Sequence, residues 1–246
     1  MIDVNFFLGR PYDFKRICKI YPPTVNEVVG NYKFCIYIKL LTMAQEDIID
    51  ELAEAGEENT FITPLQYLLL MAQSSEAIES FVKESFFFSI HEEVTFLYDQ
   101  RKIIIGDLEE TLKQAETLND LRILDETNFF DFQNQIRQSI GSPMVEDYEI
   151  EPDPRIRAMK AKARYRDRVK AKKSNLDLTT LLAAICCMQI GLTPLNIGEI
   201  SYAAVSVLLE VYQHKEKYDI DIRSLLAGAD SKKVNPEYWI ANFDKK

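Results

Sequence analysis

Between positions 155 and 173, ten of nineteen residues are Lys or Arg, and the single acid is Asp167. Such a segment cannot enter a hydrophobic core, because Lys and Arg are almost never fully buried without partners. Past Ala163, the places that would continue an apolar stripe hold Arg166, Asp167 and Lys170. Ala, Lys and Arg are good helix formers, so the spacing predicts a solvated basic helix. Just before it, Glu146 to Asp153 is acidic and carries Pro152, with Pro154 following, which reads as a linker. The chain is therefore divided into an N-terminal mainly helical body with β-hairpins (1–145), an acidic-then-basic linker and helix (146–175), and a C-terminal helical domain (176–246). The expected fold class is mainly α (α+β).

The basic strap is the more pronounced because the rest of the chain is acidic. Overall there are 29 Lys and Arg against 39 Asp and Glu, a net charge of −10. With the strap carrying +9, the remaining residues hold 19 bases and 38 acids, a net of −19. Hydrophobic residues make up 47% of the chain, enough to build a buried core. The longest apolar stretch, around Leu181 to Leu192, is too short to span a bilayer. No basic region leading into an apolar run opens the sequence, so no secretion signal is expected. Cys18, Cys35, Cys186 and Cys187 show no disulfide spacing, which fits a reducing cytoplasm. Cys186 and Cys187 read as small core residues on a buried helix.

Local patterns place the elements. Val4–Leu8 and Arg16–Tyr21 read as short extended pieces around a Gly9-Arg10-Pro11 turn. Thr24 with Glu27 three residues on is a capping box. Tyr32 to Ala55 is helical, with Ile36, Leu40, Met43, Ile48, Ile49 and Leu52 on one broad face. Thr63-Pro64 opens a helix lined by Leu65, Leu68, Leu69 and Ala72. Ser75 to Phe88 is another, through Ile78, Phe81, Val82 and Ser85. Glu93–Tyr98 and Lys102–Ile105 form a hairpin around Asp99-Gln100-Arg101. Helices are then expected from Asp107 to Leu118 and from Asn128 to Ile140, the latter burying Phe129, Phe132, Gln133 and Ile136. Leu176 to Ile190 reads as a buried helix ended by Gly191, Ile197 to Tyr218 as a second, and Asp219 to Ala227 as a last short one capped at Gly228.

Motifs for catalysis are missing from the sequence. It has two histidines, His91 and His214, without metal-ligand companions nearby, and it lacks a Gly-rich phosphate loop, HExxH or GxSxG. Acidic pairs such as Glu92-Glu93 and Glu109-Glu110 read as solvated faces. The expectation is a non-enzymatic protein with no catalytic, cofactor-binding or metal site. The residues expected to meet partners are Arg155, Arg157, Lys160, Lys162, Arg164, Arg166, Arg168, Lys170, Lys172 and Lys173 of the strap, and Tyr238 and Trp239 of the tail. The strap admits three readings: phosphate contacts to nucleic acid, docking on acidic protein surfaces, or a solvated linker. Only Tyr165 interrupts its charges as an aromatic, so no base-stacking platform is indicated, and nucleic acid is the weaker of the two partner classes.

Two stretches carry a resemblance. Ile17-Cys18-Lys19-Ile20-Tyr21-Pro22-Pro23-Thr24-Val25-Asn26-Glu27-Val28 is a strand followed by a capped helix. Leu192-Thr193-Pro194-Leu195-Asn196-Ile197-Gly198-Glu199-Ile200 precedes Tyr218-Asp219, Leu225-Leu226-Ala227-Gly228-Ala229-Asp230 and Glu237-Tyr238-Trp239. The combination resembles tail assembly chaperones of phages and prophages of Gram-positive bacteria. The resemblance implies a helical body that coats the phage tape measure protein and a C-terminal extension that helps recruit tail tube protein, with no membrane contact and no cofactor. Self-association stays open. The middle hairpin and the basic strap lie outside the resemblance. The alternatives are a nucleic-acid-associated regulator using 155–173 and a virion structural component.

Overall fold

The computed structural model describes residues 2–54, 62–106, 122–145, 178–188 and 190–229, with 155, 156, 159, 162, 163, 166, 234 and 236. The expected helix at Asp107–Leu118, the loop at 56–59 and the acidic run 146–153 lie outside the described residues. The fold is mainly α with two small antiparallel sheets, as the sequence predicts.

The chain opens with α1 (Val4–Phe7), a single helical turn rather than the expected strand. The Asp3 carboxylate accepts from the Asn5 N–H and caps it. Among the described residues no strand lies alongside to pair with this run, and the turn places Phe6 in the core at 0% exposure. A hairpin follows, β1 (Tyr12–Phe14) against β2 (Cys18–Ile20), with the alternating burial of a half-buried strand in β2. The capping box forms as expected: the Glu27 N–H donates to Thr24 Oγ1 at 3.2 Å and the Thr24 N–H to Glu27 Oε2 at 2.7 Å, opening α2 (Val25–Gly30).

The expected long helix from Tyr32 is two, α3 (Phe34–Thr42) and α4 (Gln45–Glu54), because Met43 is extended (φ −58°, ψ 123°). The buried face of α3 is Phe34, Tyr37, Ile38 and Leu41, one residue round from the expected stripe, and Ile36 is exposed. Helix α5 (Pro64–Ser74) is capped by Thr63 and buries all four residues expected of it. Helix α6 (Glu76–Ile90) is capped by Ser75. The hairpin β3 (Val94–Leu97) and β4 (Lys102–Ile105) pairs Val94 with Ile105 and Leu97 with Lys102. A short β5 (Ile123–Leu124), not foreseen, completes the sheet in the order β3-β4-β5. Helix α7 (Phe129–Ser139) buries Phe129, Phe132, Gln133 and Ile136 as expected.

The C-terminal elements depart further. Helix α8 (Leu178–Cys187) fully buries only Ile185 among its described residues, and Cys187 is exposed rather than in a core. Ile197–Glu199 is a 3₁₀ turn, and one 25-residue helix, α9 (Tyr202–Leu226), replaces the two expected. The helix runs through Asp219 without a break, and the Lys215 ammonium pairs with that carboxylate one turn apart at 3.0 Å.

The main core gathers Phe6, Phe14, Phe86 and Phe132 around parallel-stacked rings of Phe86 and Phe132, 5.8 Å apart. A second cluster joins Val25 of α2 to Ile185, Ile197 and Val205. The start of α9 is sewn to the N-terminal body: the Val25 N–H donates to the Ile200 carbonyl (3.0 Å), and the Tyr202 N–H to the Pro23 carbonyl (2.7 Å). The buried Ser201 hydroxyl donates to the Phe6 carbonyl at 2.6 Å.

Gly141 ends α7 at φ +75°, and a Cβ there would lie 2.6 Å from Ser206 Oγ and 3.2 Å from the Ala203 Cα. Gly228 has φ +94° but open space around it. Gly141→Ala is expected to cost about 1–3 kcal/mol and Gly228→Ala less, measured by urea unfolding. Ser201→Ala is expected to cost about 1 kcal/mol by removing the hydroxyl's bond to the Phe6 carbonyl, which still accepts from the Gly9 N–H at 3.2 Å. Equal midpoints for wild type and Ser201→Ala would show that the seam carries no weight.

Candidate functional site

A groove of about 790 Å³ opens beside α6. Ser80, Lys83, Glu84, Phe87, Phe88 and His91 recur at three- and four-residue steps, so one stripe of α6 forms its wall. Facing it are Tyr21, Pro22, Pro23 and Thr24, which leave β2 for α2, and Glu27 on the first turn of α2. Glu93, Val94 and Thr95 close it along β3.

Local structure fixes the aromatic side of the groove. His91 caps α6 in the left-handed region (φ 57°), its N–H donating to the Phe87 carbonyl. That conformation lays its ring on Tyr21, with centroids 4.2 Å apart and planes 18° apart. The Tyr21 N–H donates to the Ser89 carbonyl at 2.9 Å and holds the stack in register. Phe87 stands beside His91 and is 55% exposed, an unusual position for a large ring.

The polar end is organised by Glu84, which accepts from Lys33 Nζ (2.8 Å) and the Tyr37 hydroxyl (2.5 Å). These donors hold the Glu84 carboxyl below the usual range, chiefly through the Lys33 hydrogen bond. Lys33 is raised by the same contact, and Tyr37 is raised by burial first and by Glu84 second. Behind the groove, Arg122 makes a two-pronged contact with Glu92 (2.6 Å each) and also donates to the Ile17 carbonyl, tying the first hairpin to the second sheet. Glu92 is thus engaged, not merely solvated. Beside this pair, burial pushes the Cys18 thiol up to about 12.

Of the strap, Arg155, Lys162 and Arg166 are helical and exposed, along with Ile156 and Met159. Arg157, Lys160, Arg164, Arg168, Lys170, Lys172, Lys173, Tyr238 and Trp239 lie outside the described residues. The groove was not foreseen. The helical spacing of α6 marks Ile78, Phe81, Val82 and Ser85 as its core face, and the groove lies along the neighbouring stripe through Phe87 and His91. His214 lies 4.0 Å from Glu210 on α9. Among the described residues no group of three or more His, Cys, Asp or Glu is placed to hold a metal ion, and no helix is long and apolar enough to cross a membrane.

A sequence-family profile described as the YomV second domain matches residues 170–244. YomV is a Bacillus prophage protein, so the match ties this C-terminal segment to a phage-associated domain family. No curated protein and no solved structure matches the chain.

The thiols test this geometry. Cys35 and Cys187 are exposed, Cys186 is half-buried and Cys18 is buried. Maleimide labelling of the native protein is expected to modify Cys35 and Cys187 first and Cys18 only on unfolding. The folded state holds the Cys18 proton more tightly than the unfolded chain, and likewise the Tyr98 proton, raised from 10.0 to about 12 chiefly by burial. The unfolded chain therefore gains by ionising first. Thermal stability is expected to fall as pH rises from 9 towards 12, with Cys18→Ala flattening the onset. A melting temperature constant across that range would contradict it.

Proposed function

We propose that this chain is a phage-encoded tail assembly factor that works by binding other proteins, with tape measure and tail tube proteins as its partners and no catalysis of its own. The observation that carries the reading is the match of residues 170–244 to a phage-associated domain family. The resemblance of Ile17–Val28 and of the C-terminal segments to tail assembly chaperones gives it its direction. A groove walled by exposed aromatic rings suits a protein that shields apolar segments of a partner. The acidic body would keep such a complex soluble, and the basic strap would meet an acidic neighbour. A second reading, contact of 155–173 with nucleic acid, draws support from the exposed helical positions of Arg155, Lys162 and Arg166.

Affinity purification of the tagged chain from phage-producing cells, with and without nuclease, separates the two. Recovery of a tape measure or tail tube protein regardless of nuclease is the expected result. Neutralising Arg164, Arg166, Arg168 and Lys170 together should reduce that recovery. Recovery dominated by nucleic acid and lost on nuclease treatment would overturn the tail reading.

A further inference from the structure

The groove and the strap carry complementary chemistry on one chain. The groove is lined by the acids Glu27, Glu84 and Glu93 against the base Lys83. Glu84 is matched by Lys33, and Lys83 by Glu79, both from outside the lining. Glu27 accepts only from the N–H and hydroxyl of Thr24, which are neutral donors, so its charge remains. Glu27 and Glu93 therefore set the sign of the groove, and both are exposed. They share it with the Phe87 ring, itself more than half exposed.

On the strap, Met159, Lys162 and Arg166 are helical and exposed at steps of three and four, so they lie along one stripe. Ile156 and Ala163 flank Met159 at the same kind of spacing. Met159 is 72% exposed and Ile156 43%, so the protein's own body leaves both apolar side chains in water. Covering them against an apolar surface would be favourable. An apolar helix stripe with cations beside it fits a groove that offers an aromatic ring with carboxylates beside it. The whole chain repeats this complementarity, since 155–173 carries +9 and the remainder −19. Two copies thus attract through opposite patches, and every strap has a groove to meet. Positions 146–154 join Val145 to Arg155, and covalent geometry lets such a link reach at most about 35 Å, enough for a strap to leave its own body.

We propose that the strap of one copy docks in the groove of a second copy, with Met159 against the Phe87 ring and Lys162 and Arg166 towards Glu27 and Glu93. Exchange in both directions closes a two-fold dimer with neither surface left over. The proposal rests on the protein-binding reading of the strap above and names its acidic neighbour.

Sedimentation velocity of the full chain tests it. The wild type should pass from monomer to dimer as its concentration rises. Raising the salt to about 1 M, where the screening length is about 3 Å, should weaken the dimer about tenfold or more. Phe87→Ala should weaken it to a similar degree. Glu93→Lys alters the groove, and Lys162→Glu with Arg166→Glu alters the strap; all three side chains are exposed, so melting temperatures should stay at the wild-type value. Each of these variants alone should be monomeric where the wild type is a dimer. Mixed, they should dimerise, because one contact is then wild type and the other has both signs reversed. A wild type that is monomeric at every concentration, a dimer that neither variant weakens, or a mixture that stays monomeric would overturn the proposal. A monomeric chain that still recovers tail proteins would overturn the self-docking and leave the tail reading standing. A dimer with no tail protein in the purification would do the reverse.

Discussion

The fold hangs on a seam three residues wide, where Pro23 to Val25 meets Ile200 to Tyr202. Closing a loop of that length is costly in chain entropy, though the cost grows only slowly with length. The seam answers it with two main-chain hydrogen bonds and the buried Ser201 hydroxyl on the Phe6 carbonyl, across 195 positions of sequence. Each bond satisfies a polar group that burial would otherwise strand. Once it is closed, Val25 becomes part of the cluster formed with Ile185, Ile197 and Val205, so the smaller core is shared by distant parts of the chain.

The larger core is kept in place by an unusual row of buried polar residues on α7. Gln133 donates to the Leu41 and Met43 carbonyls, and Arg137 donates to the Thr42 carbonyl and to Asn134. Asn134 both donates to and accepts from the Val145 backbone, and Gln138 accepts from the Asp3 N–H. One helix thus ends α3, anchors the entry to α1 and holds the chain as it leaves for the linker. Burial lowers the pKa of Arg137, opposed by the charge of Asp47, and the partial negative charge at the C-terminus of α3 favours a cation at that spot.

The seam also connects the phage-related segment to the groove. Pro23 and Thr24 line the groove on one side and take part in the seam on the other. The start of α9, within the segment that matches the phage-associated family, therefore helps fix the wall facing α6. A partner that strained either element would be felt by the other, because packed interiors transmit displacement rather than absorb it.

Patterns that depend on near neighbours could be read from the sequence. The Thr24–Glu27 box, the Thr63-Pro64 start, the hairpin at 94–105 and the buried face of α7 each follow from residues within a few positions, where propensity and periodicity act. Readings that depended on distant partners failed. Val4–Leu8 has strand-like composition but, among the described residues, no strand to pair with. Leu178–Cys187 is apolar yet only half covered, and α9 runs on through Asp219 as one helix. The groove was illegible for the same reason: its wall, facing loop and edge come from α6, from the β2–α2 connection and from β3. By itself the sequence determined the helical class, the caps and the acidic body with its basic strap, since these are local or compositional. Only the tertiary structure decided where Tyr21, Phe87 and His91 would meet, because that follows from which surfaces are left uncovered once the cores have closed.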